Sequence, residues 1–130
     1  MENFIESWND TNGMKNVFLR LKNFLETQKE ADLSFNARPG VSYSLRAVHP
    51  AQKDRSLYVM ADVVDDDPND RWLSVCFYGD MITDPEEKGD LIPGGLLGED
   101  GYCFDITDPD DNLTGYVEAR IEEAYQRAAG

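Results

Sequence analysis

The sequence predicts one α+β domain, an antiparallel β-meander of about five strands with an N-terminal and a C-terminal helix packed on one of its faces. Three observations carry this. Apolar residues recur with a helical period near both chain ends, they alternate with a period of two in between, and the separating stretches are rich in Pro, Gly, Asp and Asn. A chain of 130 residues and 14.7 kDa has room for one hydrophobic core, so residues 1–130 are read as a single domain.

The elements follow in order. Phe4, Ile5 and Trp8 suit a short helical turn. Met14, Val17, Phe18, Leu21, Phe24 and Leu25 then mark one face of a 3.6-residue helix, with the capping-type residues Asp10, Thr11 and Asn12 just ahead of it. Leu33, Phe35 and Ala37 alternate with polar residues, Pro39-Gly40 supplies a turn, and Val41, Tyr43, Leu45 and Ala47 alternate again, as in a hairpin. Leu57–Val64 and Arg71–Tyr78 are β-branched and aromatic runs joined by Asp65-Asp66-Asp67-Pro68-Asn69-Asp70, a second hairpin. Tyr102–Ile106 is the fifth strand. Leu113, Tyr116, Val117, Ile121, Ala124, Tyr125 and Ala128 repeat the helical spacing, and acids from Asp108 onward suit the positive end of that helix. Between the last two strands, residues 79–101 read as a long acidic, Gly-rich loop, in which Asp84-Pro85-Glu86-Glu87 suits a helical turn.

Alternation assigns the strand residues to two faces. Leu33, Phe35, Val41, Tyr43, Leu45, Leu57, Val59, Leu73, Val75, Phe77, Phe104 and Ile106 form the face under the helices. The other face carries Ser42, Ser44, Arg46, Tyr58, Met60, Asp62, Trp72, Ser74, Cys76, Tyr78, Cys103 and Asp105, too aromatic to be merely solvated. Three covers are open to it: the 79–101 loop, a second subunit, or a ligand or partner.

Charge is distributed by segment. The formal net charge is −14, with 12 basic against 26 acidic residues. Residues 1–60 hold eight bases and seven acids, whereas Asp62–Asp111 holds 16 acids against Arg71 and Lys88 alone. Such a field repels nucleic-acid phosphate and anionic membranes and draws basic proteins. No apolar run approaches the roughly 18 residues of a membrane span, and acids stand where a secretory leader carries Lys or Arg, so a cytoplasmic location is expected. Cys76 and Cys103 are too far apart for a CxxC pair and too few for a disulfide scaffold, so two reduced thiols are expected. The single histidine, His49, excludes a site of two His and two Cys ligands.

Motifs are thin. Asp65-x-Asp67-x-Asn69 and Asp108-x-Asp110-x-Asn112 open like calcium loops, but their sixth positions are Asp70 and Leu113 and their twelfth Cys76 and Ala119, which denies the turn Gly and the bidentate Glu. A turn and a helix cap explain them, and neither a metal nor a cofactor is expected. Gly94, Gly95 and Gly98 lack the Lys of a phosphate loop and lie among acids. No catalytic set stands out.

The function expected from these features is non-enzymatic: an acidic module, of immunity-inhibitor or DNA-mimic type, that meets a basic protein partner through Asp65, Asp66, Asp67, Asp70, Asp84, Glu86, Glu87 and Asp90. Two alternatives use the aromatic sheet face. One is a small-molecule or enzymatic pocket of Arg46, Tyr58, Asp62, Trp72, Cys76, Tyr78 and Asp105 gated by the loop. The other is a homodimer through that face, in place of a monomer.

Overall fold

The computed structural model describes all 130 residues. The chain runs α1 (Glu2–Ser7), α2 (Met14–Glu26), β1 (Asp32–Arg38), β2 (Ser42–Val48), β3 (Val59–Val64), β4 (Trp72–Tyr78), β5 (Asp90–Leu96), β6 (Glu99–Ile106) and α3 (Asp111–Ala129). All pairings are antiparallel, and the strands lie in the order β1-β2-β3-β4-β6-β5. The α+β architecture with helices at both termini is thus present, with six strands rather than about five.

The register places Phe35, Leu45, Ala61, Val75 and Phe104 in one row across five strands, and Tyr43, Val63, Leu73 and Ile106 in the next. These rows form the floor on which α2 sets Phe18, Leu21 and Leu25 and α3 sets Val117, Ile121 and Ala124, all fully buried. Each large apolar side chain removed from water there contributes about 2 kcal/mol, which is what holds two modestly amphipathic helices on the sheet. Arg20 on α2 clamps Glu118 on α3 at 2.8 Å. α3 begins where Asp110 accepts from the N–H groups of Asn112 and Leu113. Val41, expected on this floor, lies in the β1–β2 turn and is exposed.

The 79–101 segment is not a loop over the sheet. After β4 the chain runs back along α3: Arg127 donates to the Asp80 carbonyl, Thr83 to the Glu123 carboxylate, and the Glu86 N–H to the Tyr116 hydroxyl. It then returns as β5, an edge strand beside β6 whose register shifts between Ile92 and Leu96. Asp84–Glu87 closes as a turn, not as a helix. The excursion starts and finishes at one place, because Tyr78 pairs with Gly101 and the Gly79 N–H donates to the Asp100 carbonyl at 3.0 Å.

The expected pair of free thiols is corrected. Alignment of Val75 with Phe104 puts Cys76 directly opposite Cys103, with their Cα atoms 4.1 Å apart, and the two sulphurs are joined. Only the strand register brings together residues 27 apart in sequence. No helix is long and apolar enough to cross a membrane.

Candidate functional site

Antiparallel connectivity gathers the acidic turns. Val64 pairs with Trp72 and Leu73 with Ile106, so the β3–β4 turn and the β6–α3 junction lie at the same end of the sheet. Asp90 sits opposite Cys103, which brings the preceding residues to that end as well. Three separate segments thereby present ten exposed carboxylates together: Asp66, Asp67, Asp70, Glu86, Glu87, Asp90, Asp105, Asp108, Asp110 and Asp111. The cations nearby are few. Arg71 is taken up by Asp65, Arg20 is held by Glu118 and of the ten reaches Asp111 alone, at 3.4 Å, and Lys88 is exposed among the acids.

Two of the residues expected on this surface have other work. Asp65 is buried, accepts from Arg71 Nε at 2.7 Å, and accepts the Gly40 N–H at 2.8 Å. Arg71 in turn lies over the rings of Phe4, Trp8 and Tyr43, so this pair ties α1 to the sheet. Asp84 is a keystone for its segment. Its carboxylate accepts from the Lys88 N–H at 3.0 Å, the Gly89 N–H at 2.9 Å, the Tyr102 hydroxyl at 2.7 Å and the Tyr116 hydroxyl. Burial works to raise its pKa, but the four donors together outweigh burial and hold it at about 2. The same contact pushes Tyr102 up to about 12. Gly89 is required here, because a Cβ would lie 2.7 Å from the Tyr102 ring and 2.8 Å from that of Phe104. Sequence reasoning sees the charge of Asp65 and Asp84, but not the neighbours that bury them.

The aromatic sheet face carries no helix, and the excursion does not cover it. Ser44, Asp62, Ser74 and Asp105 form one row across it, and Arg46, Met60, Cys76, Cys103 and Asp90 form the next. Burial raises the pKa of Asp62, with the Ser44 hydroxyl and then Arg46 and Arg38 pulling it back, and its Oδ1 is shielded from water without a hydrogen-bond partner. Burial also raises Asp105, helped by repulsion from Asp90. Arg46 Nε donates to Ser44 at 3.1 Å.

Two expected pocket residues are elsewhere. Tyr58 precedes β3 and is fully buried on the helix side, where its hydroxyl donates to Gln28 at 2.6 Å and its ring meets Tyr125. Burial drives its pKa far above the usual tyrosine value. Tyr78 lies under Arg55, whose guanidinium stands 4.4 Å from its ring centre. That arginine also bonds Asp80 and Glu99 at the far end of the sheet, a cluster that no local motif marks.

Beside Trp72, a shallow hollow of about 400 Å³ is lined by Asp70, Asp105, Thr107 and Asp108. A ring bordered by carboxylates suits a cation and not an anion. No group of three or more His, Cys, Asp and Glu side chains is arranged to hold a metal ion. The Asp67 carboxylate instead closes its own turn on the Asn69 N–H, and Asp110 caps α3. Comparison of the chain with family models, with curated proteins and with solved structures found no match.

Proposed function

We propose that the protein is a non-enzymatic interaction module whose acidic end binds a basic protein. The observation that carries this is the convergence of three distant segments on one end of the sheet, leaving ten carboxylates exposed with little local compensation. A patch of this kind raises the encounter rate with a cationic partner and opposes binding to phosphate-bearing polymers. The carboxylates stand on braced backbone rather than on free loops: Asp84 fixes Glu86 and Glu87, Asp65 fixes the turn of Asp66 and Asp67, and Asn12 holds Asp70 and the Arg71 carbonyl. Preorganised charge loses less entropy on association. The cytoplasmic setting belongs to this proposal. The thiol pool there favours the dithiol form of Cys76 and Cys103, and the acidic end contains neither residue.

The test is a calorimetric titration against a panel of small basic proteins at about 0.05 and about 0.5 M salt, where screening lengths differ about threefold. The expected result is an association that weakens at least tenfold at the higher salt and disappears when Glu86, Glu87 and Asp90 are replaced by Lys. These three are exposed, so the variant should keep wild-type stability to within about 0.5 kcal/mol. Binding that ignores both salt and charge reversal overturns the reading.

A further inference from the structure

We propose that the uncovered sheet face is the seat of a symmetric dimer, in which two copies of this chain stack face to face about a two-fold axis parallel to the strands and midway between β3 and β4. The strand order carries the argument. Such an axis lays β3 over β4, and β2 over β6, of the second copy.

The rows then match in kind. Val64 meets Trp72 of the second copy, and Met60 meets the Cys76–Cys103 pair, apolar against apolar. In the row between them Asp62 meets Ser74, a small polar side chain that leaves room for the carboxylate. The face is also charged in the sense this axis requires. Arg38 and Arg46 lie on its β1–β2 side, and Asp90 and Asp105 on its β6–β5 side. The two-fold sets Arg46 over Cys103, between Asp105 and Asp90 of the second copy, twice per dimer. An axis perpendicular to the strands would lay β2 on β2 instead, arginine against arginine.

Face-to-face sheets cross at about 30°, so the match is closest in the central strands, where the apolar rows lie. Six strands at about 4.8 Å spacing and seven residues at about 3.3 Å rise give a ceiling of about 1,300 Å² buried in total at full overlap, at the lower end of specific interfaces. This surface shares Asp90 and Asp105 with the acidic end, but the other eight exposed carboxylates lie off it, so a chain that stays monomeric leaves the partner-binding reading standing.

The experiment is sedimentation equilibrium on the full chain and on two variants, Arg46→Asp and Asp105→Arg, with circular dichroism to confirm folding. Wild type should be dimeric. Each variant alone places like charges in contact and should be monomeric, or dissociate at least tenfold more readily. An equimolar mixture of the two variants should regain the dimer, because the carboxylate introduced on β2 of one chain then meets the guanidinium introduced on β6 of the other. Should Arg46→Asp disturb the fold, Asp105→Arg, at an exposed position, carries the test alone through its loss of the dimer. A wild-type chain that stays monomeric at about 0.5 mM overturns the proposal. So does a dimer indifferent to these charges, or a mixture that is not rescued.

Discussion

Replacing Asp84 by Asn should destabilise the protein in a way that disappears with acid. In the folded chain four donors converge on this carboxylate. An amide oxygen can serve only some of them, and the amide N–H groups would face donors. The folded pKa of about 2 against an unfolded value near 3.9 corresponds to about 2.5 kcal/mol at neutral pH. Because the carboxylate is only partly buried, solvent screening reduces this to about 1–2 kcal/mol. The folded pKa is depressed, so the contribution is complete above the unfolded pKa and is lost as pH falls through the folded one. It should be full at pH 7 and about a third as large near pH 2.5. Urea unfolding of wild type and Asp84→Asn, followed by tryptophan fluorescence between pH 7 and pH 2.5, reads the difference directly. A stability gap that keeps its size down to pH 2.5 would refute the reasoning, because the carboxylate would then not be charged and bonded as described. The variant should also loosen Glu86 and Glu87, and so weaken any association through the acidic end.

Two further outcomes follow from buried partners. Asp65→Ala strands Arg71, whose side chain is only 11% exposed, and should cost about 3–5 kcal/mol by urea midpoint; a loss under about 1 kcal/mol would contradict the assigned pair. Cys76→Ser should lower the stability of the oxidised protein by up to about 3.5 kcal/mol, the loop-closure value for a sequence separation of 27, and excess dithiol should bring wild type down to the variant; an unchanged wild type under dithiol would mean that the sulphurs are not joined.

What the sequence reveals and what it hides divide along the range of the interactions. The helical spacing from Met14 and from Leu113, and the alternation through Tyr43, Leu45, Val75 and Phe77, reflect each element's burial against one core, so α2, α3 and the two sheet faces are legible. β5 is not. Pro93, Gly94 and Gly95 give it low strand propensity, and it persists because β6 offers a free edge and Leu96 reaches the core. Tyr58 breaks the alternation because it lies outside the ladder, and the Cys76–Cys103 union depends on register alone. The charge concentration along 62–111 is plain in the sequence, but its gathering at one end needs the direction of every strand. Asp65 and Asp84 look like their exposed neighbours until Arg71, Tyr102 and Tyr116 are placed around them.

The closure of the excursion at Gly79 and Asp100 makes it a graft on the ladder rather than a link in it. β4 and β6 are hydrogen-bonded neighbours already, so a shorter connection between Tyr78 and Gly101 would form an ordinary hairpin without altering the pairing of any other strand. Length and charge between those two points can therefore drift over evolutionary time while the frame keeps its registry. Glu86, Glu87 and Asp90 ride on that adjustable appendage, whereas Asp66, Asp67, Asp70 and the acids at the start of α3 are anchored to the frame itself.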